Sequence, residues 1–210
     1  MLLLLLAVNS RVALLEPQSC VGEGSGDWRN VCNGALISGA GGYQDQPQVV
    51  VTANGSWSCV LTLNSGREGQ NAQRVVSTVS HDLGESWSAL VDIEPQTAPE
   101  GKVPRSTGWV NNLRVPATGR QYAFYTYNCN NVTTNPTMGK KLPNSNLLGC
   151  WVMRFSQDDG TTWSSTRFNL TGAYRKTDID YSNAWGGAVL EGWSIGKPLI
   201  ADDGETGKRM

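Results

Sequence analysis

Residues 80–87 read SHDLGESW and residues 156–163 read SQDDGTTW, so the pattern S-x-D-x-G-x-[ST]-W occurs twice. We call these segments the first box and the second box. In such a pattern Asp accepts bonds from nearby amides, Gly supplies a positive φ, and Trp packs beneath the next strand. The pattern therefore predicts two tight turns between strands. Their expected structural residues are Ser80, Asp82, Gly84 and Trp87 in the first box, and Ser156, Asp158, Gly160 and Trp163 in the second.

The sequence around the boxes predicts short strands in series. Runs rich in Val, Thr and aromatic residues are separated by Gly, Asn, Asp and Pro. They cover residues 48–52, 58–63, 74–79, 122–127, 149–155 and 188–195. No amphipathic helix is predicted, and 8 Trp with 24 Gly in 210 residues favour a turn-rich β protein. A turn motif repeated at this spacing favours a β-propeller over a sandwich or a barrel.

The two boxes resemble the Asp-box, or bacterial neuraminidase repeat, of sialidases and sialidase-like proteins. The resemblance implies an all-β fold, a six-bladed β-propeller of four-stranded blades with the box between the third and fourth strands of a blade. Residues 43 to about 198 look like the first three blades. Because a partial ring leaves blade faces uncovered, the chain is expected to be an N-terminal fragment. The box also occurs in other carbohydrate-active propellers and in non-enzymatic ones.

The function implied by this resemblance is removal of terminal sialic acid from glycoconjugates. Sialidases hold the substrate carboxylate with three Arg and use a Tyr nucleophile, a Glu that assists it and an Asp as acid/base. The sequence departs from that pattern at the first of these Arg. Its corresponding segment, residues 43–47, reads YQDQP and contains no Arg. The nucleophile, its Glu partner and the remaining Arg are expected in later blades.

Two carboxylates are the catalytic candidates. Glu68 is the only carboxylate in the loop before the first box, residues 64–71, and is expected to act as a general acid if burial raises its pKa. Asp45 stands just before an apolar strand at the expected mouth of the propeller, where capping of its own turn is an equally good interpretation.

Four residues are candidates for binding the substrate. Arg67 beside Glu68 would hold a carboxylate, although both residues also read as ordinary loop charges. Asp180, Asn183 and Trp185, with Asp178 nearby, form a polar and aromatic group suited to a sugar. A solvated loop beside a core Trp is the alternative interpretation of that group.

Charge and composition narrow the range of partners. The 17 Lys and Arg nearly balance the 18 Asp and Glu, which argues against nucleic acid or anionic lipid as a partner. The single histidine, His81, lies inside the first box, so a Ser-His-Asp triad is not expected. No phosphate-binding loop or metal-ligand spacing is found, and neither a cofactor nor a metal is predicted. The expected partner is a glycan or glycoconjugate.

The N-terminal sequence predicts secretion. The apolar run 2–8, followed by a second at 12–15, is too short to span a bilayer and resembles the apolar region of a signal peptide. We therefore predict a signal peptide at 1–20 and a partial propeller domain at 21–210, without stable membrane insertion; a buried first strand or a start codon placed too late are the alternatives. Sequons begin at Asn54, Asn131 and Asn169 and fit a secreted chain.

The cysteines are compatible with one or two disulfides, and their spacing is not that of a zinc site. They are Cys20, Cys32, Cys59, Cys129 and Cys150.

Three functional hypotheses follow. The leading one is a secreted sialidase-like glycoside hydrolase. The second is a non-catalytic Asp-box propeller that binds glycans or a protein, and the third is a propeller enzyme acting on another acidic sugar polymer, such as a uronate lyase.

Overall fold

The computed structural model describes residues 35–39, 41–67, 73–97, 105–129, 150–171, 196–202 and 208–209. Every strand lies in the second of two compact units, Leu36–Met210. The strands are β1 (Tyr43–Val51), β2 (Trp57–Asn64), β3 (Arg74–Ser80), β4 (Val91–Asp92), β5 (Thr107–Val115), β6 (Arg120–Tyr127), β7 (Cys150–Ser156), β8 (Phe168–Asn169), β9 (Ala201–Asp202) and β10 (Lys208–Arg209). No α-helix occurs among these described residues, and the predicted all-β class is confirmed.

The strands form two four-stranded sheets with the same topology. Sheet 1 has the order β1-β2-β3-β4 and sheet 2 the order β5-β6-β7-β8, while β9 and β10 form a separate pair. All neighbours are antiparallel, so each sheet is a meander in which consecutive strands pair.

Five of the predicted strands correspond to β1, β2, β3, β6 and β7, whereas the two-residue strands β4, β8, β9 and β10 were not predicted. β1 begins at Tyr43, so Asp45 and Pro47 lie within the strand and not before it. β5 was not predicted, because Gly108 and the pair Asn111 and Asn112 are typical of turns, although tertiary packing buries both amides almost completely. The strand predicted at 188–195 lies outside the described residues.

The main core lies between the two sheets. It consists of side chains at most 1% exposed: Val60, Val75, Ile93, Val110, Ala123, Tyr125 and Val152. A second cluster, Cys59, Leu61, Leu63 and Val76, occupies the other face of sheet 1 and packs against Trp87 and Leu90. Sheet 1 is therefore covered on both faces, and β2 is buried from Ser58 to Asn64.

Each sheet has a box end and an opposite end, which we call the loop end. At the box end of sheet 1, Trp57 pairs with Ser80. At its loop end Tyr43 pairs with Asn64, and at the loop end of sheet 2 Thr107 pairs with Tyr127. The two loop ends lie side by side, because the Thr107 amide donates to the Gln73 carbonyl over 2.9 Å.

Candidate functional site

The first box joins β3 to β4 and is held by bonds within the turn. The Ser80 hydroxyl donates to Asp82 Oδ1 over 2.7 Å and accepts the Gly84 amide over 2.8 Å. Ser86 donates twice to the same carboxylate, from its amide to Oδ1 over 2.9 Å and from its hydroxyl to Oδ2 over 2.5 Å. These four bonds close the turn on itself.

The second box joins β7 to β8 and repeats the four bonds atom for atom. Ser156 donates to Asp158 Oδ1 over 2.8 Å and accepts the Gly160 amide over 2.8 Å. Thr162 donates its amide to Asp158 Oδ1 over 2.8 Å and its hydroxyl to Oδ2 over 2.6 Å. Each box thus connects the third and fourth strands of its own sheet through one shared turn geometry.

The hydrogen bonds keep both box carboxylates ionised. Donation from the Ser86 hydroxyl, followed by the Ser86 amide, lowers the pKa of Asp82 to about 2. Burial acts to raise the pKa of Asp158, but donation from Thr162 and Ser156 outweighs it and the net pKa is lowered. Neither carboxylate is suited to donate a proton near neutral pH, so neither box is a candidate for general-acid chemistry.

The second box also fastens sheet 2 to sheet 1. Ser77 of β3 donates its hydroxyl to the Gly160 carbonyl over 2.8 Å and accepts the Trp163 indole N–H over 2.8 Å. Gly160 lies so close to β2 of sheet 1 that a Cβ there would approach Ser58 Oγ to 2.3 Å. The two hydrogen bonds of Ser77 join residues that are 83 and 86 positions apart in the sequence.

At the loop end, the first strand of each sheet carries an equivalent bulge. In β1 the register shifts between Asp45 and Gln48, and in β5 it shifts between Gly108 and Asn111. The first bulged residue is Gln46 in one strand and Trp109 in the other, and each has a φ of +51°. Positive φ is unusual for such side chains, and bulges of this kind are over-represented beside active sites.

The two bulged strands meet through Gln48. Gln48 Nε2 donates to Asn111 Oδ1 over 3.0 Å, and Gln48 Oε1 accepts the Asn112 amide over 3.1 Å. A third segment reaches the same place, because Lys197 Nζ donates to the Val49 carbonyl over 3.2 Å. Sequence reasoning missed this amide cluster; the adjacent Asn111 and Asn112 within an otherwise apolar run were the available signal.

Besides the box residues, the structure describes two of the predicted catalytic and substrate-binding residues, Asp45 and Arg67, and both belong to the loop end of sheet 1. Asp45 Oδ2 accepts the Tyr43 hydroxyl over 2.7 Å, and Oδ1 accepts the Gln46 amide over 2.7 Å. Asp45 therefore caps the bulge of its own strand. Arg67 is exposed three positions beyond the end of β2. Glu68, Asp178, Asp180, Asn183 and Trp185 lie outside the described residues.

A buried charged cluster between the sheets was not predicted. Glu94, 6% exposed, accepts the Tyr125 hydroxyl over 2.6 Å and Arg154 Nε over 3.1 Å on its Oε2 atom. The Glu94 Oε1 atom accepts a hydrogen bond from Arg167 Nη1 over 2.8 Å. The Arg167 guanidinium lies 3.7 Å from the centre of the Tyr127 ring. Because Glu94 is 60 and 73 positions from the two Arg, no local motif marks it.

Electrostatics within this cluster follow from its burial. Burial, then the negative charge of Glu94, raises the pKa of Tyr125 well above its ordinary value. Burial acts to lower the pKa of Arg154, but the bond and charge of Glu94 outweigh it and the pKa is raised. Both groups therefore stay protonated at physiological pH.

A disulfide closes the connection between β6 and β7. Cys129 and Cys150 are bonded, with their Cα atoms 5.8 Å apart, and Arg105 donates to the Cys129 carbonyl over 2.6 Å. Within the described part of the chain Cys59 is the free cysteine, and burial raises the pKa of its thiol to about 12. Such a thiol packs as a small apolar group. Cys20 and Cys32 lie outside the described residues.

The described ranges contain no group of three His, Cys, Asp or Glu side chains placed to hold a metal ion. No helix within them has the length and apolar character that crossing a bilayer requires.

Solved structures similar to this chain were found, whereas no protein-family model and no curated protein matches it. An intramolecular trans-sialidase from leech matches with 12% identity and a TM-score of 0.49, covering 68% of this chain and 38% of that one. A trans-sialidase from Ruminococcus gnavus matches with 12% identity and a TM-score of 0.47, covering 67% and 52%. A Hadza microbial sialidase matches with 18% identity and a TM-score of 0.47, covering 61% and 26%. The chain thus spans between about a quarter and a half of the length of these proteins, which are of the class that the two boxes resemble.

Proposed function

We propose that this chain is part of a sialidase-like glycoside hydrolase that removes terminal sialic acid from glycoconjugates. The observation that carries the proposal is the pair of boxes, because each closes with the same four bonds and joins the third and fourth strands of its sheet. That is the position of the Asp-box in a sialidase blade. On this proposal, sheets 1 and 2 are two blades of a six-bladed propeller, and later residues contribute to a third.

The loop end is the proposed substrate site. The box carboxylates are committed to their own turns, whereas the loop end carries two strained bulges. The amide cluster around Gln48 and Asn111 begins at the next paired residue of each bulged strand, toward the middle of the sheets. Asp45 and Arg67 belong to the loop end, and the connection containing Glu68 starts from it. Strain and polar groups gathered at one edge of a rigid scaffold are typical of a functional site.

The proposed roles follow from side-chain chemistry. Arg67 would meet the sialic acid carboxylate with its planar guanidinium, and Asp180, Asn183 and Trp185 would contact the sugar ring and its hydroxyls. Glu68 would donate its proton to the glycosidic oxygen as that oxygen leaves the anomeric carbon. Asp45 would contribute negative charge near the developing oxocarbenium ion, since both its oxygens already accept bonds that fix its orientation.

Turnover of a fluorogenic sialoside by the full-length protein tests the proposal. We expect Glu68→Gln to lower kcat by about 10²- to 10⁴-fold, the usual contribution of a positioned general acid. Glu85→Gln is the matched control, because Glu85 is an exposed residue of the first box and should leave turnover unchanged. Wild-type turnover no higher than that of Glu68→Gln between about pH 4 and 8 would contradict the proposal.

A non-catalytic glycan-binding propeller is the second candidate. It is favoured by Gln44, an exposed β1 residue in the segment where sialidases carry their first clamp Arg, and by the capping bonds that engage Asp45. Binding to sialylated glycans on an array, without release of sialic acid, would favour this candidate over the enzyme.

The proposal also covers location and partners. Secretion is supported by the signal-like residues 1–20 and the three sequons, and a glycan or glycoconjugate is the proposed partner. Nucleic acid and stable membrane insertion are not part of the proposed function, in keeping with the balanced charge.

A further inference from the structure

The hairpin between β1 and β2 carries the sequon Asn54-Gly55-Ser56 at its tip. The Thr52 amide donates to the Ser56 carbonyl over 2.8 Å, and the Gly55 amide donates to the Thr52 carbonyl over 3.1 Å. Gly55 has a φ of +86°, which glycine adopts without strain. Thr52 and Ser56 are buried, whereas Asn54 is exposed. A rigid turn therefore presents the Asn54 side chain to solvent.

The Asn54 amide is anchored through its oxygen. Oδ1 accepts the Thr52 hydroxyl over 2.5 Å and the Ser56 amide over 3.0 Å. Because a backbone amide can only donate, the atom facing Ser56 N has to be the oxygen. The nitrogen, Nδ2, points away from these contacts and donates to no group in the described part of the chain.

We propose that Asn54 is an N-glycosylation site. Nδ2 attacks the anomeric carbon of an oligosaccharide carried on a polyprenyl diphosphate, forming the C–N bond. The bond from that carbon to the diphosphate oxygen breaks, the polyprenyl diphosphate leaves with the electron pair, and the transferase removes one amide proton. The product keeps Oδ1 as an acceptor, so both anchoring bonds persist in the glycosylated hairpin.

Two features of the hairpin fit this modification. Val51, 59% exposed, lies beside the tip, where the first sugar residues would cover its apolar surface. The tip is also at the box end, and the nine-residue strand β1 at roughly 3.3 Å per residue sets it about 25 Å from the loop end. A glycan there would leave the loop end accessible.

The hydroxyl of the sequon implies when the transfer occurs. Ser56 is 7% exposed, and its Oγ lies 2.8 Å from His81 Nδ1, so the hydroxyl is enclosed in the folded hairpin. The transferase reads this hydroxyl, and therefore it acts before β2 pairs with β3 and brings His81 into contact. The modification is thus expected during synthesis, independently of any glycosidase activity.

Peptide mapping by mass spectrometry tests the proposal. The full chain is expressed behind the secretion leader of a eukaryotic host, and peptides from the secreted and endoplasmic-reticulum fractions are compared before and after enzymatic removal of N-glycans. We expect the peptide containing residue 54 to carry glycan in most molecules. Unmodified Asn54 in both fractions would overturn the proposal, and this measurement needs no variant.

Two variants provide matched controls. Asn54→Asp keeps a carboxylate oxygen for the Thr52 and Ser56 donors but lacks the nitrogen, so it should lose one glycan while the thermal midpoint of the enzymatically deglycosylated protein is unchanged. Asn169→Gln removes the sequon at the exposed end of β8 and should leave occupancy at Asn54 unchanged. An unchanged number of glycans in Asn54→Asp would contradict the assignment.

Discussion

Gln48 and Asn111 occupy equivalent positions in two different sheets and are bonded to each other over 3.0 Å. Each is the first residue after the bulge in the first strand of its sheet. The two sheets therefore repeat one another in a bulged first strand as well as in a box between the last two strands. The second box fastens sheet 2 to sheet 1 at the box end, and the equivalent amides meet about midway along the strands, where Gln48 is opposite Val60 and Asn111 is opposite Phe124.

The first prediction concerns the buried cluster around Glu94. Glu94→Gln should lower the free energy of unfolding by about 3–5 kcal/mol, because Arg154 keeps a buried charge without its counter-ion. Asp92→Asn is the control, since the Arg74–Asp92 pair is 38% and 32% exposed and should be worth about 1 kcal/mol at most. Urea unfolding monitored by Trp fluorescence measures both values, and equal small losses would contradict the assigned role of Glu94.

The second prediction concerns the bond between sheets made by Ser77 and Trp163. Trp163→Phe should lower stability, since it removes the indole donor and leaves the Ser77 hydroxyl with one partner fewer. Combined with Ser77→Ala in a double-mutant cycle, it should give a coupling energy of about 1 kcal/mol. Trp87→Phe combined with Ser77→Ala is the control cycle and should show no coupling. A Trp163 cycle without coupling would count against a bond between these residues.

The third prediction concerns the tight packing of the second box. Gly160→Ala places a Cβ at a φ of +91° and 2.3 Å from Ser58 Oγ, so backbone strain and overpacking both destabilise the folded chain. We expect a loss of roughly 2–4 kcal/mol. Gly119 has a φ of +67°, and a Cβ there would meet open space. Gly119→Ala should therefore lower the free energy of unfolding by only about 1 kcal/mol. Equal losses in chemical denaturation would contradict close contact between the box and sheet 1.

The fourth prediction concerns acid sensitivity. Because the pKa of Asp82 is lowered from 3.8 to about 2 in the folded chain, its contribution to stability is present above about pH 4 and is lost as the pH falls through about 2. Wild type should therefore be more stable than Asp82→Asn near pH 6, and this difference should shrink towards pH 2. Urea unfolding across this range measures it, and a difference independent of pH would show that Asp82 acts through something other than its charge.

The sequence was most informative where the structure is local. The box bonds join residues two to four positions apart, and the predicted strands alternate or run apolar, so both leave a pattern in the chain. The bulges leave none, because neither Gln46 nor Trp109 favours a positive φ and only the packed sheet imposes it. β5 was missed for a related reason: the buried Asn111 and Asn112 side chains find their hydrogen-bond partners in Gln48, Trp109 and Ser58, which only the folded sheets bring together.

The candidate site was less predictable than the fold. Asp45 was expected before the first strand and Arg67 in the loop before the first box; in the structure Asp45 lies within β1, and both residues belong to the loop end of sheet 1. Glu94, Arg154 and Arg167 could not be associated from sequence, because their contact depends on how one sheet packs on the other. The roles proposed for Glu68, Asp180, Asn183 and Trp185 stay predictions.

Identification of the product released from a sialoside tests the central claim most directly. The full-length protein is incubated with a sialylated oligosaccharide, and the products are identified by proton NMR and mass spectrometry, with Glu68→Gln as the control. The proposal predicts free sialic acid and the shortened oligosaccharide from wild type, and little of either from Glu68→Gln. An intact substrate in both samples, or release that is equal in the two, would contradict it.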